Sequence, residues 1–182
     1  MWLTPNTLNK IDRNSGIIGR AILICQKFEA TCNDIISWFE ATIALENKKY
    51  EFMSTEYISY VDDLHRMLLG QSINKLSNHK KEIIVSKSEI QILNEARKSR
   101  NWIVHESGMK TLFTNKDLGV EELSMHVKRV ARGEFLVSNW SYQFHEQETL
   151  RFINEGLYTN CIVDWVVCPD EDKTRQTLWF FR

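Results

Sequence analysis

Residues 16–45 read GIIGRAILICQKFEATCNDIISWFEATIAL, and the order of apolar and polar residues in this stretch decides the fold class. Ile18, Ala21, Ile22, Cys25, Phe28, Cys32, Ile35, Ile36, Phe39 and Ile43 follow one another mainly at steps of three and four. No period-two alternation survives, so the stretch predicts a long amphipathic helix, with Asn14 or Ser15 placed to cap it. Upstream, residues 1–15 are polar and predict a leading segment that begins with a helical turn after Asn6. Downstream, Asn47-Lys48-Lys49 makes a polar break. A second helix is expected from Ser54 to about Leu76, striped by Tyr57, Tyr60, Val61, Leu64, Met67 and Leu68 and weakened at Gly70. Residues 77–88 connect to a third helix from about Ser88 to His105, which Ser107-Gly108 stops. A fourth is expected from Val120 to about Asn154, bent around Gly133.

Beyond Gly156 the texture changes. Residues 161–167 and 177–181 are rich in β-branched and aromatic side chains, with Pro169-Asp170-Glu171-Asp172 between them. That pattern predicts a C-terminal β-hairpin; a short buried helix ending at Val167 is the competing reading, because apolar runs of this length are ambiguous. The expected organisation is a helical bundle over residues 1–156 and an extension over 157–182 packed on it.

Composition agrees with a mainly all-α fold. The 182 residues include only two prolines, Pro5 and Pro169, so nothing between them interrupts long helices. Seven glycines are too few for the turn-rich economy of a sandwich or propeller. Hydrophobic residues at 43% and charged residues at 26% exclude wholesale disorder. No apolar run approaches the roughly 18 residues a membrane span needs, and no basic segment followed by an apolar stretch opens the sequence. Four cysteines are sparse for a disulfide scaffold, so a reducing, cytoplasmic setting is expected. The formal net charge of -1 argues against bulk electrostatic coating by nucleic acid and leaves room for a local basic patch.

Few residues invite chemistry. Cys25/Cys32 and Cys161/Cys168 each have six intervening residues, wider than metal-binding pairs, and a step of seven returns to the same helical face. Cys25 and Cys32 read as core positions, and no metal or other cofactor is expected. His65, His79, His126 and His145 show no ligand spacing, and Asp62-Asp63 beside His65 reads as a solvated helix face. There is no Gly-rich phosphate loop and no Gly-x-Ser-x-Gly elbow. The third helix differs. With Arg100 at the origin of a wheel of about 100° per residue, Leu93 and Val104 lie within about 40° on one side, and Ala96 and Ile103 within about 60° on the other. A guanidinium in an apolar stripe requires a partner, a cleft or an interface. Arg97, Asn101, Asn94, His105 and Lys98 occupy the adjoining arc, and Asn101 and His105 form an i,i+4 pair. Residues 86–110 hold five Lys/Arg against three Glu, leaving -3 for the rest of the chain. A cationic strip beside a histidine suits phosphate handling; an amphipathic helix whose arginine snorkels outward is the plainer reading.

Arg100-Asn101-Trp102-Ile103-Val104-His105 resembles the Arg-x4–6-His motif of HEPN domains, including the polar residue after the arginine, and the helix order over about residues 14–155 is similar to theirs. The resemblance implies a bundle of four or five helices and a metal-independent endoribonuclease, a toxin or antiviral-defence effector acting as a homodimer. By position, Arg100 would bind the scissile phosphate, His105 would be general acid or base, and Asn101 would orient one of them, with Arg97 and Lys98 contacting RNA. An antitoxin or sensor protein is the implied partner. Where nucleotidyltransferase-paired toxins often carry an AMP-accepting tyrosine two residues past the histidine, this chain has Ser107, so that regulation has no support. The alternative is a non-catalytic helical subunit for binding or assembly.

Overall fold

Helical spacing extends past both ends of the 16–45 stretch. In the computed structural model, which describes residues 5–78, 85–109, 113, 117–146 and 154–168, helix α1 runs Pro5–Glu46 without interruption. At about 1.5 Å per residue it is about 63 Å long. The leading segment is therefore part of α1. Asn14 and Ser15 do not cap it, because their side chains bond back to Lys10 O (3.0 Å) and Asp12 O (2.8 Å) within the helix.

The expected second helix is two. Helix α2 spans Thr55–His65, opened by Ser54, whose hydroxyl accepts from Tyr57 N at 3.2 Å. Helix α3 spans Leu69–Asn78. The break lies at 66–68 and not at Gly70. It is held from α1: Asn33 Nδ2 donates to Met67 O (3.1 Å), and Ser72 Oγ donates to Asn33 Oδ1 (2.6 Å). Gln71 Oε1 accepts from Leu68 N at 3.0 Å and so restarts the helix.

Helix α4 spans Lys87–His105, helix α5 Val120–Glu146 and helix α6 Glu155–Val167. The described residues contain six helices and no strand, so the fold is all-α. Gly133 lies within one continuous helix, where it lets neighbours close in. A Cβ there would sit 2.5 Å from the Ala96 Cβ and 3.1 Å from Phe28.

The expected hairpin is corrected. Its first arm, residues 161–167, is the body of α6, capped by Asn154 Oδ1, which accepts from Gly156 N at 2.7 Å. An apolar run without alternation takes its form from what it packs against, and here α5 and α1 receive it as a helix. Cys161 and Val166 are buried, and the Arg20 guanidinium fastens the last turn by donating to Val166 O at 2.9 and 3.1 Å. The second arm, 177–181, lies outside the described residues. Helix α6 thus starts before the expected boundary at 156 and joins the common core.

Helix α1 is the axis of that core. Cys25, Phe28, Cys32, Ile35 and Ile36 meet Leu93, Ala96 and Ile103 of α4, Leu123, Val127, Val130 and Val137 of α5, and Ile73 of α3. Each large buried side chain contributes about 1.5–3 kcal/mol by leaving water. Cys25 and Cys32 are core residues, and burial pushes both thiols up, Cys25 to about 12.

Candidate active site at the end of helix α4

Local sequence signals set both ends of α4. Ser86 and Glu89 form a capping box: the Ser86 side chain accepts from Glu89 N (3.2 Å), and the Glu89 carboxylate accepts from Ser86 N (2.7 Å). At the other end Glu106 N bonds to Trp102 O (2.8 Å), and the buried Ser107 hydroxyl donates to Ile103 O (2.6 Å). Arg100, Asn101 and His105 therefore occupy the last two turns.

Leu93, Ala96, Ser99 and Ile103 are the buried residues of α4, whereas Val104 is 38% exposed. The buried arc is thus centred to one side of Arg100, which stands inside it near one end, with Leu93 alone beyond it. Arg100 Nη2 meets Glu29 Oε2 of α1 at 2.6 Å, with the two side chains 23% and 26% exposed. Arg100 Nη1 donates to Asn101 Oδ1 at 3.2 Å, and Arg100 Nε is buried without a partner among the described residues. A single chain thus supplies the partner that a guanidinium in an apolar stripe requires.

Asn101, His105 and Lys98 are exposed. Arg97 is half-buried along α3, its Nη1 3.0 Å from where a Gly70 Cβ would stand. The hydrogen bonds of Arg100 go to Glu29 and Asn101, not to His105. Five residues of helix separate Arg100 and His105 by about 140° around the axis, while Asn101 and His105 share a flank about 40° wide. The structure joins Arg100 with Asn101 and leaves His105 on the solvent side, beside Asn101.

Two acidic side chains escaped the reading of α4 alone. Glu29 lies in the stripe Cys25–Glu29–Cys32–Ile36, and Glu134 in the stripe Val127–Val130–Glu134–Val137, so helical spacing marks both as charges on core faces. Glu134 is wholly buried and gathers Lys27, Tyr158 and Ser138 Oγ, the last at 2.5 Å, tying α1, α5 and α6 together. Burial first, then the Glu134 charge and hydrogen bond, push the Tyr158 hydroxyl up. His126 stacks on Trp102 (4.1 Å between centroids, 15°) with Nδ1 3.1 Å from Ser99 Oγ, a packing role between α4 and α5.

Among the described residues no three His, Cys, Asp or Glu side chains assemble as a metal-binding group, and no helix is long and apolar enough to cross a membrane. Comparison with protein-family models, curated proteins and solved structures finds no match to this chain.

Proposed function

We propose that the chain is a metal-independent endoribonuclease of the HEPN type, a toxin or antiviral-defence effector whose partner is an antitoxin or sensor protein. The observation that carries this reading is the placement of Arg100, Asn101 and His105 on the last two turns of a capped helix. Arg100 and Asn101 are hydrogen-bonded there, and Asn101 and His105 are open to solvent. In the reaction, the substrate's 2′-oxygen attacks the adjacent phosphorus and the bond from phosphorus to the 5′-oxygen breaks, leaving a 2′,3′-cyclic phosphate. A histidine takes the 2′-hydroxyl proton, a second acid protonates the departing 5′-oxygen, and the Arg100 guanidinium holds the non-bridging oxygens. Because Arg100 and His105 diverge by about 140° on one helix, two copies arranged about a two-fold place the arginine of one motif beside the histidine of the other. The pair of histidines then supplies one base and one acid.

Arg97 and Lys98 flank the motif and add the salt-dependent attraction for the RNA backbone. The Arg100–Glu29 pair is the resting partner that a phosphate displaces. The same pair favours a second reading, in which it ties α1 to α4 and the chain is a non-catalytic subunit for binding or assembly. Incubation of labelled RNA with the chain in EDTA, beside a folded His105→Ala variant, separates them. Cleavage by the unaltered chain alone supports the nuclease, and equal cleavage by both, or none by either, supports the subunit.

A further inference from the structure

Away from α4, a cavity of about 380 Å³ opens between α1 and α2, near the lower end of the size range of small-molecule sites. Three aromatic rings from three parts of the chain line it: Trp38 of α1, Tyr57 of α2 and Phe52 of the loop joining them. Ala41, Ile58 and Val61 add apolar wall between the rings. Trp38 and Phe52 are 40% and 67% exposed, so both stand at the mouth, where an entering molecule meets them. Met53, the residue after Phe52, is held at φ 62, a left-handed conformation that a non-glycine residue adopts at some strain, and this fixes the course of the loop beside the cavity.

Two polar groups interrupt this apolar lining. Ser37 is 2% exposed, lines the cavity, and its hydroxyl has no hydrogen-bond partner. Elsewhere on α1, Thr31 and Thr42 bond back to Lys27 O and Trp38 O, both at 2.9 Å, so the orphaned hydroxyl is particular to Ser37. A buried hydroxyl without a partner is destabilising, and a molecule that brings it a polar hydrogen removes that cost. The second group is Asp62, exposed on α2 at the cavity and without an ion pair among the described residues. Asp34 also lines the cavity but is already engaged by another group. No lysine or arginine is among the described lining residues.

We infer that this cavity binds a small organic amine in its ammonium form, with an apolar body of one or two rings. Each part of that description follows from a part of the cavity. Its volume admits a body of that size and little more. The negative faces of Trp38, Tyr57 and Phe52 attract a cation as well as apolar bulk, which is the chemistry of an aromatic cage. The Asp62 carboxylate is the counter-charge, and an anionic ligand would meet that carboxylate with no lysine or arginine to offset it. The Ser37 oxygen accepts an N–H of the ligand and so loses its orphan status. A hydroxyl at the base of a cavity is reached by a molecule that enters; a polypeptide lying across the mouth leaves it unmet. This site is independent of the nuclease reading, because none of its residues belongs to α4.

The test is isothermal titration calorimetry of the full chain with tryptamine and with phenethylamine, beside indole-3-propionate, which has the shape of tryptamine and the opposite charge. At least one amine should bind saturably with a Kd below about 1 mM, and the propionate at least about tenfold more weakly than tryptamine. Asp62→Asn, at an exposed position, should weaken amine binding about two- to fivefold. Phe52→Ala, in the exposed loop, should weaken it at least about fivefold, with the circular dichroism of both variants unchanged. Ser37→Ala gives a readout that loss of fold cannot imitate: the free chain should melt no lower than the unaltered one, because an orphaned hydroxyl is removed, while amine binding weakens. Absence of saturable binding by both amines, equal binding of the propionate, an affinity insensitive to Asp62→Asn and Phe52→Ala, or a Ser37→Ala chain that binds as before each overturn the inference.

Discussion

Glu29→Gln separates a structural from a functional use of Arg100, because the two uses predict changes that differ in more than size. The ion pair is about three-quarters withdrawn from water, with 23% and 26% exposure and a 2.6 Å contact. Exposed pairs contribute about 0.2–1 kcal/mol, and removing one partner of a fully buried pair costs about 3–5 kcal/mol. At this burial the loss should be about 1–2 kcal/mol, because glutamine keeps the shape and one acceptor while Asn101 still holds the guanidinium. For a chain of this size that lowers Tm by about 2–8 °C. The same 1–2 kcal/mol is what a phosphate must overcome to take Arg100 from Glu29. RNA affinity should therefore rise about 5–30-fold as stability falls. Urea denaturation and filter binding in a His105→Ala background, where RNA is not consumed, measure the two quantities side by side. A stability loss with no gain in RNA affinity makes the pair a plain tie between α1 and α4 and refutes phosphate binding by Arg100. No stability loss at all contradicts the pairing itself.

Three further outcomes follow from the packing and the buried charges. Gly133→Ala should destabilise by up to about 2 kcal/mol. The overlap with the backbone-anchored Ala96 Cβ costs about 1–3 kcal/mol and exceeds the roughly 1 kcal/mol gained in helix propensity, so a stabilised variant in urea titration would disprove the close approach. Glu134→Ala should cost about 1–3 kcal/mol by taking the buried acceptor from Ser138 and Tyr158, while half-exposed Lys27 keeps Ser138 Oγ at 3.3 Å; a loss below about 1 kcal/mol would mean the network is not buried as described. Stability should fall as pH rises from 9 to 12: burial raises the Cys25 thiol from 9.0 to about 12, and burial with Glu40 raises the Tyr60 hydroxyl from 10.0 to about 12. The folded state holds those protons more tightly than the unfolded chain, so their contribution is complete below pH 9 and lost as pH passes 12. A urea midpoint that stays level across this window would contradict it.

What could be read from the sequence was what a single helix decides for itself. The spacing of Ile18 through Ile43, the start of the second helix at Ser54 and the stop after His105 are local, and each stands in the structure. What escaped depends on a distant partner. The break at 66–68 rests on Asn33 of α1, which no inspection of residues 54–76 alone reveals. Residues 161–167 carry no alternation, so strand and helix were separated only by the faces of α1 and α5 that receive them. For the candidate site, the wheel of α4 marked Arg100 as a charge needing an anion. Glu29 lies 71 residues earlier, and the match appears only when the stripe Cys25–Glu29–Cys32 is set against that of α4. The opposition of Arg100 and His105 around the helix, by contrast, was present in their five-residue spacing from the start.

The most direct test of the nuclease account is the chemistry of the RNA ends produced in the presence of EDTA. The account requires fragments ending in a 2′,3′-cyclic phosphate, and no cutting where the ribose at the cleavage site is 2′-deoxy. His105→Ala should slow the reaction by about 10²–10⁴-fold, and Arg100→Ala by about 10²–10³-fold, with both variants folded. Cleavage that stops on chelation, 3′-hydroxyl ends, equal cutting of the deoxy substrate, or full activity in folded His105→Ala would contradict it.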